Sequence, residues 1–423
     1  MARTLTRRLL GGVLLLTAMA TAPLVGAAGF LVTAAASTAI PILAAVGLVA
    51  TAGTTFLLSR PAFTLLGAHG GRKPAILAAI GVTAAVAVLA SATVLRPGAI
   101  PQAVPAPAGV RYWDLPTGSR IAYVHAAATG KPRTAPVIFL HGGPGTPGEG
   151  IPVGGEALTA VGFDVYSYDQ LGAGRSTRLS DVTGYTVARH VADLEAIRHT
   201  IGADKIIIVG QSWGGSLAAQ YLEAHPDRVA KVVLTSPGAL WPGSQPDSDL
   251  SQRLTPEQQQ RYDELTGSPR MLTMSLLLGI NPNAAHALMS DREADERFHE
   301  LALVSRGTGS CPGMPVREPH HNRQGFYVNQ ITSDDFRQVP DPRPKLRQIR
   351  VPVLIMRGSC DFVPWEGTYD YRRTLPNSTL VPIAGAGHAI AGDQPDPYTR
   401  LLRSFLTDRP LPLPAHTSAD PPR

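Results

Sequence analysis

The first 109 residues of this chain contain no aspartate and no glutamate. They hold Arg3, Arg7, Arg8, Arg60, Arg72, Lys73 and Arg96, seven of the chain's 38 basic residues, which leaves 31 bases against 32 acids in the rest. The formal charge of +6 therefore belongs to the N-terminal segment, and the remainder is near neutral. Nowhere is a basic patch interleaved with aromatics, so a nucleic-acid partner is not expected. Aromatics are scarce as well, 6% against 44% hydrophobic residues in all, so the apolar content is mostly Ala, Val and Leu, and it is unevenly spread. Cysteine occurs only twice, and no internal repeat is present. With 423 residues, the chain exceeds one ordinary small domain and suffices for a large α/β domain plus a second part.

What is missing next is any charge from Leu9 to Ser59, a run of 51 residues. One helix needs about 20 residues to cross a bilayer, so this run accommodates two crossings, with a turn expected at Ser37–Pro41. A second uncharged run, Pro74 to Leu95, supplies a third. These stretches are rich in Ala and Gly, which suits close packing of one helix on another. Three spans place Arg3, Arg7 and Arg8 on the same side as Arg60, Arg72 and Lys73, as cytoplasmic basic residues require, and put everything after Arg96 on the other side. The expectation is a multi-pass anchor in the cell membrane over 1–95, in contact with lipid, with the following domain outside the cytoplasm. The alternative is a cleaved secretory signal in "RRLLGGVLLLTAMATA", which leaves the second and third runs unexplained. The Pro- and Ala-rich stretch 96–109 reads as a stiff tether, and 409–423 as a disordered tail.

From about residue 110, strand-like and helix-like segments alternate. "RIAYVHAA", "APVIFLHG", "FDVYSYDQ", "KIIIVGQS", "AKVVLTSPG", "VPVLIMRGS" and "STLVPIAG" are short apolar runs of the kind buried on both faces of a mostly parallel sheet. "TVARHVADLEAIRHTIG" has helical spacing, with Val187, Val191, Leu194 and Ile197 on one face, and "WGGSLAAQYLEAHPDRV" and "PDPYTRLLRSFLTD" follow suit. The expected class is α/β, a doubly wound, mostly parallel sheet built from 110–238 and 349–408. Residues 239–348 interrupt the rhythm with helical pieces and read as a helical cap over the active-site end of the sheet.

The chemistry concentrates in "VGQSWGG". Gly210 to Gly214 fits G-x-S-x-G between a strand and a helix, the setting of a nucleophile elbow, in which small neighbours let Ser212 occupy a strained turn. A serine hydroxyl needs a base. His388, in the Gly-rich loop after the last strand, and Asp361, at the end of the preceding one, complete the order Ser, acid, His. Alternatives for Asp361 are a helix cap before "PWEGTYDYRR", or replacement as triad acid by Asp370 or Asp393. "HGGPG", His141 to Gly145, follows the strand expected beside the nucleophile strand. Its bareness suits an oxyanion hole made by the backbone N–H groups of Gly143 and Trp213.

Taken together, "HGGPG", "YDQLGAGRS" (Tyr168 to Ser176) and "GQSWGGSLAAQYLEAHPDRV" resemble the proline iminopeptidase family of α/β hydrolases, which includes the tricorn-interacting aminopeptidases. The resemblance spans roughly 110–408, with Leu171 where many relatives carry Arg. It implies an α/β-hydrolase fold, no metal or other cofactor, and release of N-terminal residues from short peptides through an acyl-enzyme. In such relatives cap acids hold the substrate ammonium, often a Glu just before an aromatic pair. Here Arg323 and Gln324 precede Phe326 and Tyr327. Glu293, Glu296 and Glu300, with Asp295, are substitute candidates, although their helical spacing also fits a solvated face. Phe326 and Tyr327 join them as candidate substrate contacts. In an exported domain Cys311 and Cys360 are candidates for a disulfide between cap and active-site loop, the alternative being two separate thiols.

The reading that results is a membrane-anchored serine hydrolase acting on short peptides. The same triad also fits a carboxylesterase or lactonase taking a small ester. A non-catalytic surface binding module is the remaining alternative.

Overall fold

The computed structural model describes residues 2–100, 105–244, 250–316 and 320–422. Four residues of the expected tether, Pro101 to Val104, lie outside the described residues, as do 245–249 and 317–319 of the expected cap and Arg423 of the tail. The chain separates into two compact units: residues 1–99 with 263–293, and residues 100–262 with 294–423.

In the first unit, α1 (Ala2–Ala34), α2 (Ile40–Leu65) and α3 (Arg72–Thr93) are each long and apolar enough to cross a membrane, with mean hydropathies of 1.9, 1.9 and 2.3. The break between α1 and α2 falls at 35–39, so Pro41 opens α2 instead of sitting in the turn. A first-turn proline loses no helix hydrogen bond, because the N–H it lacks has no partner there. Helices α1 and α2 approach closely where Gly26 meets Gly47 and Thr51. A Cβ on Gly26 would come within 2.8 Å of Gly47 O, and one on Gly47 within 2.9 Å of Gly26 O. This is the small-residue packing that the composition suggested. Buried Thr51 and Thr55 satisfy their hydroxyls on carbonyls one turn back, at 2.9 and 2.8 Å.

The second unit holds an eight-stranded sheet. Its strands are β1 (Arg111–Asp114), β2 (Arg120–Ala126), β3 (Val137–Leu140), β4 (Val165–Tyr168), β5 (Ile206–Gln211), β6 (Val229–Thr235), β7 (Val353–Gly358) and β8 (Ser378–Ile383). They lie in the order β1-β2-β4-β3-β5-β6-β7-β8. From β4 to β8 neighbours are parallel, and β1 and β2 form an antiparallel edge. All seven strand-like runs became strands. The eighth, β1, is a four-residue edge strand with three exposed positions, so it carries no apolar run to read; it is held by Trp113, whose ring stacks 3.6 Å from that of Tyr123.

The helices of the hydrolase region, in chain order, are α4 (Gly155–Thr159), α5 (Val187–Thr200), α6 (Trp213–Ala224), α7 (Pro256–Thr266), α8 (Pro269–Ile280), α9 (Pro282–Leu288), α10 (Asp291–Val304), α11 (Phe326–Phe336), α12 (Arg343–Leu346), α13 (Trp365–Thr374), α14 (Ile390–Asp393) and α15 (Pro395–Leu406). On one face of the sheet, Tyr398, Leu401 and Leu402 of α15 pack with Val137, Phe139, Val209, Leu354 and Val381. The alternate side chains of β3 point the other way. There α6 presses so close that a Cβ on Gly214 would lie 2.2 Å from Leu140 O. Strands covered on both faces explain why β3 and β7 are buried at every residue.

Within the 239–348 insertion, residues 263–293 group with the three long helices, and the rest groups with the sheet. This bears on Glu293, a candidate for the substrate amine. Its carboxylate instead accepts from Arg270 Nε at 2.6 Å and Arg270 Nη2 at 2.7 Å, and from the Gly98 N–H at 2.8 Å. Glu293 is 2% exposed. An acid so enclosed and neutralised holds its own unit together.

Candidate active site

Strand β5 delivers Ser212 into a backbone conformation of φ 51° and ψ −121°, one that an L-residue rarely takes. The neighbours make it feasible. A Cβ on Gly210 would sit 2.3 Å from Gly214 O, and one on Gly215 would sit 2.8 Å from Pro237 Cβ. The Ser212 carbonyl accepts from the N–H groups of Gly215 and Gly238, and its own N–H donates to Thr235 O at 3.2 Å. The Trp213 N–H is the first of α6, where no helical carbonyl is placed to accept it.

Beside the elbow runs the loop after β3. His141 is half-buried and neutral: loss of water around the ring pulls its pKa down to about 4, against a smaller opposing effect of the Gly142 carbonyl. Its Nε2 accepts from the Gln170 N–H at 2.9 Å, leaving Nδ1 to donate to Gly142 O at 2.9 Å. Gln170 returns a bond to His141 O and accepts from the Trp213 indole, both at 2.9 Å. The "YDQ" and "HGGPG" motifs thus interlock with the elbow. The loop's bareness has a local cause as well as the expected one. At Gly143, φ is +111°, and a Cβ would strike Gly145 N and Thr146 N of the same loop. A Cβ on Gly142 would come within 3.1 Å of Ser212 Cβ. The Gly143–Pro144 peptide is cis, and Pro144 O accepts from Asn329 of α11 at 2.8 Å.

His388 Nδ1 lies 2.8 Å from Asp361 Oδ1. Burial alone would raise the Asp361 carboxyl. The hydrogen bond and charge of His388, Arg357 and the Val363 N–H outweigh it and hold it below the usual carboxylate range. The other acids considered for this place are engaged elsewhere. Asp370 pairs with Arg373 and Arg343. Asp393 accepts from Ser310 Oγ at 3.0 Å and the Gly387 N–H at 2.8 Å, bracing the loop that carries the histidine. The helix after Asp361 has Pro364 at its N-cap position with no side-chain cap; Asp361 instead accepts from the Val363 N–H at 3.1 Å while holding the imidazole.

Cys311 and Cys360 form a disulfide. The bridged segment also donates support to the histidine, because the His388 N–H bonds to Gly309 O at 2.7 Å. Gly387 is bare for the same reason: a Cβ there would lie 2.2 Å from Gly309 O.

Ser212, Gly143 and Trp213 line a cleft of about 310 Å³ with Pro144, Ser333, Phe336, Arg337 and Phe362. The Phe362 ring lies 4.3 Å from the ring of His388, which sets the imidazole beside this cleft. Among the described residues, Ser212 Oγ makes no hydrogen bond to His388; such bonds are often long until substrate binds. Arg337 is the charged residue among the described lining, and it pairs with Asp334.

Glu296, Glu300, Phe326 and Tyr327 do not line this cleft. Glu296 pairs with Arg323 at 3.2 Å and Glu300 with Arg297 at 2.8 Å. Phe326 and Tyr327 are buried at the start of α11, while Ser333, Phe336 and Arg337, two turns later, reach the cleft. Nor is the acidic cluster a solvated face throughout. Asp295 is 7% exposed, accepting from Arg178 Nη2 and the Phe326 N–H, both at 2.8 Å. Ser333 and Phe336 of α11 and Phe362 of the loop after β7 were not legible as lining residues, since segments far apart in the chain meet there only in space.

Over residues 135–273 the chain matches the α/β hydrolase fold family. A proline iminopeptidase of Lactobacillus delbrueckii subsp. bulgaricus is 30% identical over 306 residues, covering 69% of this chain and 96% of the relative. A proline iminopeptidase of Heyndrickxia coagulans is 39% identical over 298 residues, with the same coverage of 69% and 96%. Among solved structures, an esterase from Exiguobacterium antarcticum is 21% identical with a TM-score of 0.46, covering 70% of this chain and 98% of its own. At these sequence identities, over nearly the whole length of the two relatives, the chain belongs to the proline iminopeptidase-like family of α/β hydrolases and is a serine hydrolase.

Proposed function

We propose that the protein is a membrane-anchored aminopeptidase that releases N-terminal residues from short peptides, with its catalytic unit on the extracytoplasmic side. Ser212 Oγ attacks the carbonyl of the first residue. His388 Nε2 takes the serine proton and then protonates the departing amine. Asp361 fixes the imidazole through Nδ1 and stabilises its charged form. The N–H groups of Gly143 and Trp213 receive the developing oxyanion. Water then attacks the acyl-enzyme with His388 as base, and Ser212 is regenerated. The observation that carries the reading is the 2.8 Å contact of His388 Nδ1 with Asp361, beside a cleft into which Ser212 is presented on a strained turn. The anchor is supported by three long apolar helices whose basic flanks fit one orientation.

A second reading keeps the machinery and takes a small carboxylic ester or lactone. It is favoured by one observation: the described lining of the Ser212 cleft contains Arg337 and no carboxylate for a substrate ammonium. A panel of aminoacyl naphthylamides and short-chain esters separates the two. Turnover of Pro- or Ala-naphthylamide, lost in Ser212→Ala, is the expected result; cleavage of esters alone would replace the peptidase with the esterase. Reporter fusions placed after Arg96 test the side of the membrane, with an external signal expected.

A further inference from the structure

The helix α8, "PRMLTMSLLLGI", belongs by sequence to the insertion between β6 and β7 of the hydrolase, yet it packs in the unit of the long helices. One side is buried there through Met271, Met274 and Leu277. The other presents Leu272, Leu276 and Ile280, spaced by four, at 53%, 55% and 43% exposure. No Asp, Glu, Lys or Arg occurs from Met271 to Ser290. A helix face turned to water is ordinarily polar or charged. An apolar helix of 10–14 residues is ordinarily a core helix or an interfacial membrane segment, and the exposed stripe rules out the core.

Three hydrogen bonds fix this segment against the ends of the long helices. Arg270 Nη1 donates to Val94 O at 2.6 Å, at the end of α3. Asn281 Nδ2 donates to Ala34 O at 2.9 Å, the last residue of α1. The Gly98 N–H, just beyond α3, donates to Glu293. Two helices crossing in the same direction with one between them end on the same side of a bilayer, so α8 runs across the end of the bundle on that side. Leu276 and Thr273 also line an apolar crevice of about 260 Å³ with Phe30 and Leu31 of α1 and with Val94 and Leu95, so the exposed stripe continues the surface of the spans.

We propose that α8 is an interfacial membrane helix, with lipid covering Leu272, Leu276 and Ile280. The hydrolase insertion is then itself a membrane contact, and the chain meets the bilayer at its cap as well as at its N-terminal spans. The proposal rests on the anchor reading, and its occupant is the bilayer lipid, because the stripe is uncharged and continuous with surfaces already assigned to lipid.

The test uses the full chain, whose two cysteines are bonded to each other, so one introduced cysteine takes one fluorophore. Leu276→Cys, Val88→Cys in α3 and Asp396→Cys in α15 are each labelled with an environment-sensitive dye. They are reconstituted in phosphatidylcholine–phosphatidylglycerol vesicles and quenched either by lipid-borne nitroxide or by aqueous iodide. The expected result is blue-shifted emission with nitroxide quenching at 276 and 88, and iodide quenching alone at 396. Nitroxide quenching at 88 with iodide quenching at 276 overturns the interfacial helix and leaves the anchor standing. Protection of 276 from both quenchers means that protein covers the stripe, a second copy included, and also overturns it. Iodide quenching at all three sites removes the anchor and the proposal together. Leu272→Cys repeats the measurement should Leu276→Cys not fold.

Discussion

The two units of this protein draw on the same apolar residues and treat them in opposite ways. In the sheet unit, runs of four to seven residues become strands, and in β3 and β7 every side chain is hidden. In the long-helix unit, Leu16, Leu24, Val32, Val49, Leu77 and Val88 are each at least 70% exposed. The buried polar groups differ too. In α2, Thr51 and Thr55 bond their hydroxyls to their own helix one turn back, while the buried Ser59 hydroxyl has no partner among the described residues. Those of the sheet unit include the Arg178–Asp295 ion pair and the Asp361–His388 contact. The difference teaches that run length selects the solvent. A short run is buried by its neighbours, whereas a run of 20 or more exceeds what its neighbours cover and keeps apolar side chains exposed, as a membrane-spanning helix would. Chemistry then resides in the unit that has enough charge to build it.

The comparison is tested most severely at the nucleophile. Ser212→Ala is expected to lower kcat by about 10⁶-fold, with loss of fluorophosphonate labelling and no change in detergent requirement. Labelling that survives would transfer the chemistry to another residue. Asp361→Asn is expected to cost about 10⁴-fold in kcat, because the imidazole loses its fixed tautomer. A loss seen in KM alone would make Asp361 a structural residue.

The long-helix unit is tested at Glu293. Glu293→Gln leaves Arg270 buried without its counter-charge, for a loss of about 3–5 kcal/mol of stability. The folded fraction should keep its KM, and a raised KM at unchanged thermal midpoint would return Glu293 to the substrate. Replacing Cys311 and Cys360 together by Ser is expected to remove about 2–4 kcal/mol. It should lower kcat more than it alters KM, since the bridged segment carries the Gly309 carbonyl that holds His388.

The smallest effect is expected from acid. The half-buried His141 and the buried His190 have pKa values lowered to about 4 and about 3, in both cases chiefly by loss of water around the ring. The unfolded chain takes up protons near pH 6.5 that the folded chain refuses, so stability falls as pH drops from 6.5 toward 4. Asp169 opposes this: burial raises it to about 6, so the folded chain gains a proton first and recovers some stability between pH 6 and about 4. Thermal midpoints at pH 7 and 5 should therefore differ modestly, by less in His190→Gln and by more in Asp169→Asn.

Much of the fold was legible because its signals are local. Seven apolar runs, two uncharged stretches and the glycines around Ser212 each declare themselves within one contiguous segment. The candidate catalytic residues were legible because each stands at the end of a strand already recognised. The edge strand β1 escaped because three of its four residues face solvent. The cleft lining escaped because it is assembled from α11, the loop after β7 and the loop after β6, which meet only in space. The carboxylates of α10 were misjudged for a related reason. Helical spacing shows that Glu293 and Asp295 lie near one another along a helix, but not that Arg270 waits for the one and Arg178 for the other.

The sequence by itself determined the α/β-hydrolase class, the strained serine turn, the Gly-rich loop beside it and three helices of membrane-spanning length. Each follows from backbone sterics or from apolar run length, which neighbours in the chain suffice to set. Only the tertiary structure decided the partners: Asp361 for His388 in preference to Asp370 or Asp393, Cys311 for Cys360, Gly309 behind the histidine loop, and Arg270 for Glu293. A charge buried by packing must find its counter-charge wherever the fold brings one, and that distance in the chain leaves no local trace.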